Sequence, residues 1–342
     1  MIRVALVGLG AISTEHLTKL EGIAGTRAVA VCDLSPTVAA AVAERFGVDK
    51  AYVDFEEMLS EVRPDAVHVL TPPQSHPSLV RTALEHGAHV VVEKPIAATW
   101  EDYVEMRDLA VAGERMLCEN YTYRFSPVVL QALASVAAGE IGDVLAVDVS
   151  YGGVMDPSGA YGDAGVAHFA HALPGGALQN FISHPVSVAL AFVENVDRVA
   201  TWQRRRDPRF PAADELRALL AAPQASATVA VSAHAQPHFL VRIQGSAAEL
   251  DVDVLGELLQ RRTGGHAAGA ALRRGATELR GGASWFGRTL TGRRDPYFAG
   301  LRILLERFYG AVRDGGAPPL TFDQMDAVNA VVRDIFAQDA QL

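Results

Sequence analysis

Two glycines near the N-terminus have the spacing of a turn that binds a diphosphate. Gly8 and Gly10 directly follow an apolar run of strand character, and the helical segment behind them opens with Ala11 and Ile12. The first glycine permits a tight turn, and the second removes a side chain where the backbone must approach a pyrophosphate. The start of the helix offers N–H groups and a partial positive charge to the phosphates. The pattern predicts that this turn binds a dinucleotide.

The end of the second apolar run indicates which dinucleotide is bound. Asp33 lies 23 residues after Gly10, where a carboxylate can bond both hydroxyls of a ribose and repel a 2′-phosphate. Leu34 follows Asp33, and no arginine stands beside it. We therefore predict NAD as the cofactor in preference to NADP. Ser13 replaces the third glycine of the usual pattern, a change that packing between helix and strand can tolerate.

Two further polar segments follow buried apolar runs. Thr71-Pro72 ends the third run, and Glu93-Lys94 ends the fourth. Ligands of open α/β sheets bind beyond the carboxyl ends of the strands, so we expect both segments to border the cofactor. An amine held between a glutamate and a proline at this place can stabilise a developing alkoxide by its charge. Lys94 is therefore a candidate for catalysis as well as for cofactor binding.

Short apolar runs alternate with helical segments over the first 120 residues and predict the framework for these groups. The runs are apolar on both faces, as in parallel strands that are covered by helices on both sides. Strand–helix repetition with right-handed crossovers predicts a doubly wound parallel sheet of the Rossmann type. The predicted strands are Ile2–Val7, Ala28–Cys32, Ala66–Leu70, Val90–Val92 and Met116–Cys118, and the predicted helices are Ile12–Glu21, Pro36–Phe46, Phe55–Glu61, Ser75–Glu85 and Thr99–Ala112.

The pattern changes near residue 122, where a second domain is predicted to begin. Alternating apolar and polar residues there predict an α+β domain with a large open mixed or antiparallel sheet. We expect an NAD(P)-binding Rossmann domain at 1–122 and a substrate-binding and oligomerisation domain at 123–342. Residues 261–292 are rich in glycine and arginine and are predicted to form loops and short strands. The predicted elements are the helices Ser126–Ala138 and Met325–Phe336 and the strands Val144–Tyr151, Ala227–Ala233, Phe239–Gln244 and Glu249–Val254.

The composition limits the classes of protein to which the chain can belong. Its 342 residues carry 30 lysines and arginines against 40 aspartates and glutamates, a formal net charge of −10. An acidic total disfavours non-specific nucleic-acid binding, which requires a basic face. Cys32 and Cys118 cannot build a disulfide framework, and no run approaches the ~20 apolar residues of a membrane span. We expect a cytoplasmic protein with neither a nucleic-acid nor a membrane partner.

Several ordered motifs resemble those of the Gfo/Idh/MocA oxidoreductases, the family of glucose-fructose oxidoreductase and inositol dehydrogenase. The motifs that carry the resemblance are Gly8-Leu9-Gly10, Thr71-Pro72-Pro73-Gln74-Ser75-His76, Glu93-Lys94-Pro95, Tyr123-Arg124-Phe125-Ser126-Pro127, Gly139-Glu140-Ile141-Gly142 and the segment from Gly175 to His184. The resemblance implies a nucleotide-binding domain followed by an α/β domain. It also implies a homodimer or homotetramer, because the open sheet of the second domain often forms the interface in this family.

The resemblance also implies an activity and a set of site residues. Members mostly exchange a hydride between a nicotinamide and a hydroxyl-bearing carbon of a sugar, a cyclitol or a related small polyol. By this resemblance His76 belongs to the cofactor site, Tyr123 and Arg124 to the substrate site, and Lys94 and His184 to catalysis. For Tyr123, a place in the core is an equal alternative to stacking near the ligand.

Asn180 departs from the family pattern, which commonly has an aspartate four residues before the helix histidine. Positions i and i+4 share one face of a helix, so Asn180 and His184 can point into one pocket. An aspartate would favour the charged imidazolium, whereas a neutral amide cannot. We therefore expect Asn180 to orient the substrate through hydrogen bonds.

Three histidines raise the question of a metal site. His168, His171 and His184 include an i, i+3 pair, but no clustered carboxylate or cysteine completes a metal shell. We expect no metal. His168 is predicted to line the substrate pocket or to cap a loop.

Three hypotheses for function remain open on the sequence. In the first, a dehydrogenase, His184 takes the hydroxyl proton while Lys94 stabilises the alkoxide, and either can be the formal base. In the second, a tightly bound NAD(H) oxidises the substrate transiently, permits elimination or epimerisation at the neighbouring carbon and returns the hydride. In the third, a non-catalytic NAD sensor, loss of Lys94 and His184 is tolerated.

Overall fold

The computed structural model describes residues 1–153, 160–163, 165–263, 295 and 297–337. These residues divide into two units. The first unit comprises Met1–Tyr121 and Leu301–Asp326, and the second comprises the described parts of Thr122–Gly300 and Ala327–Leu342. The assignment of cofactor binding to 1–122 and of substrate binding and oligomerisation to 123–342 stays a prediction.

The first unit contains a six-stranded parallel sheet in the order β3-β2-β1-β4-β5-β6, which confirms the predicted doubly wound Rossmann sheet. Each predicted strand and helix of this region lies within two residues of an observed one. The strands are β1 (Ile2–Val7), β2 (Thr26–Cys32), β3 (Lys50–Tyr52), β4 (Ala66–Val69), β5 (His89–Val92) and β6 (Leu117–Glu119). The helices between them are α1 (Ala11–Glu21), α2 (Pro36–Phe46), α3 (Phe55–Val62), α4 (His76–Glu85) and α5 (Trp100–Ala112).

Polar side chains mark where three of these helices begin. Ser35 Oγ accepts a hydrogen bond from Val38 N at the start of α2, and Asp54 Oδ1 accepts one from Glu57 N at the start of α3. Thr99 has the same role for α5. Each such cap satisfies an N–H group that the helix cannot, and its loss costs about 1 kcal/mol.

The second unit contains a seven-stranded sheet in the order β13-β12-β11-β7-β10-β9-β8. Only β7 and β10 pair in parallel, so the sheet is mixed, as predicted. Its strands are β7 (Val144–Gly152), β8 (Arg198–Arg204), β9 (Glu215–Ala221), β10 (Ser226–Ser232), β11 (His238–Gly245), β12 (Glu249–Asp253) and β13 (Leu258–Arg262). The helices of this unit are α6 (Pro127–Ala137) and α7 (Gly176–Ala189). Later in the chain, α8 (Ala299–Asp314) lies almost entirely in the first unit, and α9 (Phe322–Ala337) begins in the first unit and ends in the second.

The seven-stranded sheet has one buried and one open face. Helix α7 packs against β7 and β10, and α6 packs against β12 and β13. Inward positions such as Val229 and Val241 are fully or almost fully buried, whereas Leu219 and Leu240 on the open face are about half exposed. The period-2 alternation thus buries one row of side chains and leaves residues of the other row, such as Leu219 and Leu240, partly exposed.

Some elements differ from the predictions. Strands β3, β8 and β9 and helix α8 were not predicted, and neither was β13 before residue 261. Strand β3 has three residues, two of them exposed, so it carries no apolar run. Residues 264–292 of the predicted loop segment lie outside the described residues, and Arg261 and Arg262 end β13. Within the part of the chain that the structure describes, no helix is long and apolar enough to cross a membrane.

Candidate active site

The glycine turn connects β1 to α1, and its two glycines have different conformations and surroundings. Gly8 has a φ of +86°, and a Cβ atom there would lie 2.6 Å from Thr71 Cγ2 and 2.8 Å from Thr71 N. This position therefore requires glycine both for its conformation and for the close approach of the segment after β4. A Cβ atom on Gly10 would meet no protein atom within 4 Å. Helix α1 begins directly behind it, and Gly10 gives it no side-chain cap.

Asp33 follows β2 and is held against the glycine turn. Its Oδ2 accepts a hydrogen bond from Leu9 N at 2.8 Å, and its Oδ1 accepts one from Ser35 N at 2.9 Å. A carboxylate has about four acceptor positions, so two backbone donors orient it and leave capacity for ribose hydroxyls. The next side chain, Leu34, is 94% exposed and brings no positive charge to this place.

His76 holds together the two segments that follow β4 and β5. Its side chain is fully buried, with Nε2 2.7 Å from the Thr71 carbonyl oxygen and Nδ1 3.0 Å from that of Ile96. Burial lowers the pKa of this imidazole. The hydroxyl of Ser75 donates to Thr71 Oγ1 and to the carbonyl oxygen of Pro72. These contacts fix the turn after β4. The roles of Thr71, Pro72 and His76 in cofactor binding stay predictions.

Glu93 is a buried carboxylate at the carboxyl end of β5. Asn120 Nδ2 donates to its Oε1 at 2.5 Å, His16 Nε2 lies 3.1 Å from the same atom, and the Lys94 backbone N–H donates to Oε2. Burial raises the pKa of Glu93, but the hydrogen bonds and the charges of His16 and Lys94 outweigh it and bring the value to about 2. Glu93 is therefore ionised at neutral pH.

Lys94 is half-buried, and the charges of two carboxylates act on its amine. Burial lowers the pKa of its amine, and the charges of Glu93 and Glu119 partly oppose that shift. Glu119, at the end of β6, is itself fixed, since it accepts from Ile96 N at 3.1 Å and from the Tyr121 hydroxyl at 2.6 Å. The result is an amine whose pKa lies closer to neutrality than that of an exposed lysine.

In the second unit, His184 and Asn180 lie one turn apart on α7, as predicted. The rings of Tyr123 and Tyr151 lie 4.8 and 6.2 Å from the His184 ring, centroid to centroid, and both are nearly perpendicular to it. Asn180 shares a hydrogen bond with the hydroxyl of Tyr161. Burial raises the pKa of both Tyr123 and Tyr151, whose hydroxyls bond each other, so neither is a base at neutral pH.

Arg124 and His168 contact the backbone near these residues. Arg124 Nη1 donates to the carbonyl oxygen of Ser187 at 2.9 Å, in the last turn of α7, where a cation also favours the helix dipole. His168 Nδ1 accepts from Ala170 N and caps a short 3-10 helix, one of the two places predicted for it. Among the described residues, no group of three or more histidine, cysteine or acidic side chains could hold a metal ion.

Comparison with known proteins decides the family. A model described as the oxidoreductase family with an NAD-binding Rossmann fold matches residues 2–121, and one described as the GFO/IDH/MocA C-terminal domain matches residues 129–251. The chain belongs to the Gfo/Idh/MocA oxidoreductase family. The resemblance found in the sequence motifs is thereby confirmed.

Individual members of the Gfo/Idh/MocA family match parts of the chain. It is 34% identical over 149 residues to inositol 2-dehydrogenase 1 of Saccharopolyspora erythraea, covering 43% of this chain and 44% of that protein. It is 29% identical over 203 residues to D-xylose 1-dehydrogenase (NADP(+)) 2 of Haloferax volcanii, covering 59% and 61%. The chain spans about half the length of the curated relatives it matches.

A solved structure extends the comparison of fold to almost the whole chain. Levoglucosan dehydrogenase in complex with NADH and L-sorbose superposes with a TM-score of 0.84 at 18% identity, covering 98% of this chain and 96% of that one. At this level of identity the likeness shows the shared fold.

Several polar residues of this Gfo/Idh/MocA protein were not among the predicted site residues. Glu119 and Asn120 directly follow the fifth predicted strand of the Rossmann sheet, so the carboxyl-end rule used for Lys94 could have found them. Tyr151 ends the alternating run of β7, where its type alone does not separate a core from a site role. His16 contacts Glu93 from α1, and no spacing pattern in the sequence links the two.

Proposed function

We propose that this protein is an NAD-dependent oxidoreductase that interconverts a secondary hydroxyl and a ketone on a sugar, a cyclitol or a related small polyol. The observation that carries the proposal is the position of Lys94, which follows β5 at the carboxyl end of the Rossmann sheet, where its backbone N–H donates to the buried carboxylate of Glu93 and burial lowers the pKa of its amine. Family membership and the names of the inositol and xylose relatives support the substrate class.

The first unit fits a dinucleotide at the glycine turn. The space beside Gly10, the uncapped start of α1 and the oriented carboxylate of Asp33 suit a diphosphate and a ribose. NAD, when bound, accepts or returns the hydride. Because Asp33 would repel a 2′-phosphate and Leu34 brings no cation, NAD is the proposed cofactor, although the xylose relative is named for NADP.

Lys94 and His184 are the two side chains proposed for catalysis. His184 accepts the hydroxyl proton in the oxidation direction and returns it in reduction. Lys94 donates a hydrogen bond to the oxygen and stabilises the alkoxide by its charge. Asn180, Tyr123, His168 and Arg124 are proposed to shape and orient the substrate site. For Arg124 this role acts through the backbone of α7, which it contacts.

The test is a panel of sugars, cyclitols and sugar acids offered with NAD and with NADP, followed by absorbance of the reduced cofactor. Reduced NAD that accumulates with a polyol supports the proposal. If the purified protein forms product when no cofactor is added, and no reduced cofactor accumulates, the reaction is instead an epimerisation or elimination. Tight NAD binding with no turnover of any compound would identify a sensor.

A further inference from the structure

Three buried polar side chains form a chain behind Glu93 in the first unit. His16 on α1, His68 on β4 and Tyr309 on α8 are all 0% exposed. Tyr309 Oη lies 2.5 Å from His68 Nε2, and His68 Nδ1 lies 2.9 Å from His16 Nδ1. His16 Nε2 then lies 3.1 Å from Glu93 Oε1. Four groups from four elements are thus connected by successive hydrogen bonds.

The ionised carboxylate of Glu93 fixes the direction of the hydrogen bond that reaches it. An ionised carboxylate only accepts, so His16 donates to Glu93 from Nε2. A neutral imidazole has one donor and one acceptor, so His68 donates to one of its two neighbours, His16 and Tyr309, and accepts from the other. Burial and the neighbouring His16 lower the pKa of His68, which keeps its ring neutral as this arrangement requires. In either arrangement the last hydrogen bond, from His16, ends on Glu93.

We propose that His16, His68 and Tyr309 are positioning residues that hold Glu93 as an oriented carboxylate beside Lys94. The inference rests on the proposed function of Lys94. Tyr309, at the far end, is fully buried, so the chain holds a charge in place and does not carry protons to solvent. In a low-dielectric interior, each hydrogen bond of such a chain strengthens the next by polarisation.

The groups that face Glu93 determine what should happen when the hydrogen bonds from His16, His68 and Tyr309 are removed. They are His16 from α1, His76 from α4, Lys94, which follows Glu93, and Asn120 after β6. Glu119 is a second anion near Lys94. Without His16, burial of Glu93 is opposed mainly by Lys94 and Asn120, so the pKa of Glu93 rises. Once Glu93 is protonated, Lys94 loses one of the two anions that favour its charged form, and the pKa of Lys94 falls.

The protein offers a direct readout of the state of Lys94, because the sequence contains only three lysines, Lys19, Lys50 and Lys94. Protein labelled with ¹³C-lysine should give three ε-methylene NMR signals, assigned with single Lys→Arg variants. We expect His16→Met to give the Lys94 signal an additional titration step between about pH 4 and 7 that the wild type lacks. The signals of Lys19 and Lys50 serve as internal references and should not change.

Three more variants separate positioning from mere packing. His16→Gln keeps an amide donor for Glu93 and should restore most of the wild-type titration of Lys94. Tyr309→Phe removes only the far hydroxyl and should shift the Lys94 curve in the direction of His16→Met, but less. Tyr103→Phe is the matched control: it removes another buried hydroxyl, which donates to Asp326, and should lower thermal stability without moving the Lys94 curve.

Activity gives a second and independent reading. For His16→Met we expect kcat to fall about tenfold, with its acid limb moved to higher pH and the KM for NAD changed less than about twofold. If folded His16→Met and Tyr309→Phe both leave the Lys94 titration superimposed on that of the wild type, the inference is wrong. If no substrate turns over but the Lys94 titration responds as described, the proposed dehydrogenase function fails while the positioning chain stands.

Discussion

Lys94 illustrates how a single side chain obtains reactivity from its surroundings. Burial alone would push an amine toward its neutral form, and two fixed carboxylates nearby counteract that push. The balance leaves the pKa of the Lys94 amine lower than that of an exposed lysine. A lowered pKa suits the role proposed for Lys94, at an oxygen that alternates between hydroxyl and alkoxide.

Replacement of Lys94 by alanine tests this role. We expect Lys94→Ala to lower kcat by about 10²–10³-fold, because the charge beside the developing alkoxide is lost. NAD affinity, measured by quenching of protein fluorescence, should stay within a few-fold. Lys50→Ala removes an exposed lysine of the same unit and should change neither quantity. Turnover of Lys94→Ala near that of the wild type would contradict the assignment.

Asp33 provides a test of cofactor choice. Asp33→Asn keeps an oxygen for the backbone N–H groups of the turn but removes the negative charge that repels a 2′-phosphate. The ratio of kcat/KM for NAD to that for NADP should fall by about tenfold or more, a change of at least 1.4 kcal/mol in discrimination. Asp54→Asn, which preserves a helix cap in the same unit, should leave the ratio as it is. An unchanged ratio in Asp33→Asn would refute the role.

The sequence indicates some candidate site residues and gives no sign of other contacts. Glycine turns and polar residues at the carboxyl ends of strands are local signals, which is why Gly8, Asp33 and Lys94 could be identified. His68 and Tyr309 are 241 positions apart, and neither lies in a motif. Their contact follows from tertiary packing, which a single sequence does not report.

At the scale of elements, the turn between β1 and α1 shows two different demands on glycine. Gly8 is required by the protein itself, since its φ is positive and a Cβ atom would collide with Thr71. Gly10 faces open space in the protein, so only a ligand at that place would require it. The two positions therefore separate folding from cofactor binding.

Alanine substitutions at the two glycines should have opposite outcomes. We expect Gly8→Ala to lower the midpoint of thermal unfolding markedly, because strain and the clash with Thr71 together cost about 2 kcal/mol or more. Gly10→Ala should leave the midpoint nearly unchanged and weaken NAD binding at least tenfold, as measured by calorimetry. Full NAD affinity in Gly10→Ala would place the diphosphate elsewhere.

The elements of the first sheet were easier to predict than those of the second. Buried parallel strands carry continuous apolar runs, and three of the helices between them have clear caps. Helix α8 was missed although Leu301, Leu304, Leu305 and Phe308 recur at helical spacing and are all buried. Strand β8 is largely half-exposed, with a charged residue at each end, so its pattern resembles that of a surface loop.

At the scale of the whole molecule, the open face of the seven-stranded sheet is a candidate surface for self-association. Leu219 and Leu240 are about half exposed there, among charged pairs such as Arg242 with Asp251. Family resemblance implied a homodimer or homotetramer through this sheet, and that remains a prediction. A face of mixed apolar and paired polar groups suits an interface between identical chains.

Sedimentation measurements test the assembly. We expect the wild type to sediment as a dimer or tetramer, and Leu219→Glu together with Leu240→Glu to shift it to the monomer, because like charges would meet across the interface. Val111→Glu, at an exposed position of α5 in the first unit, is the control and should not change the assembly. A wild type that is monomeric at micromolar concentration would refute the prediction.

The first unit draws on two distant stretches of the chain, because Leu301–Asp326 joins Met1–Tyr121. During synthesis on the ribosome, the Rossmann sheet emerges long before Tyr309. The contact between Tyr309 and His68 therefore cannot form until most of the chain has been translated. Chimeras between relatives have the same requirement. An exchange of the N-terminal half alone would combine the Rossmann sheet of one relative with the α8 helix of another. An exchange that includes residues 301–326 would keep both parts of the unit from one protein.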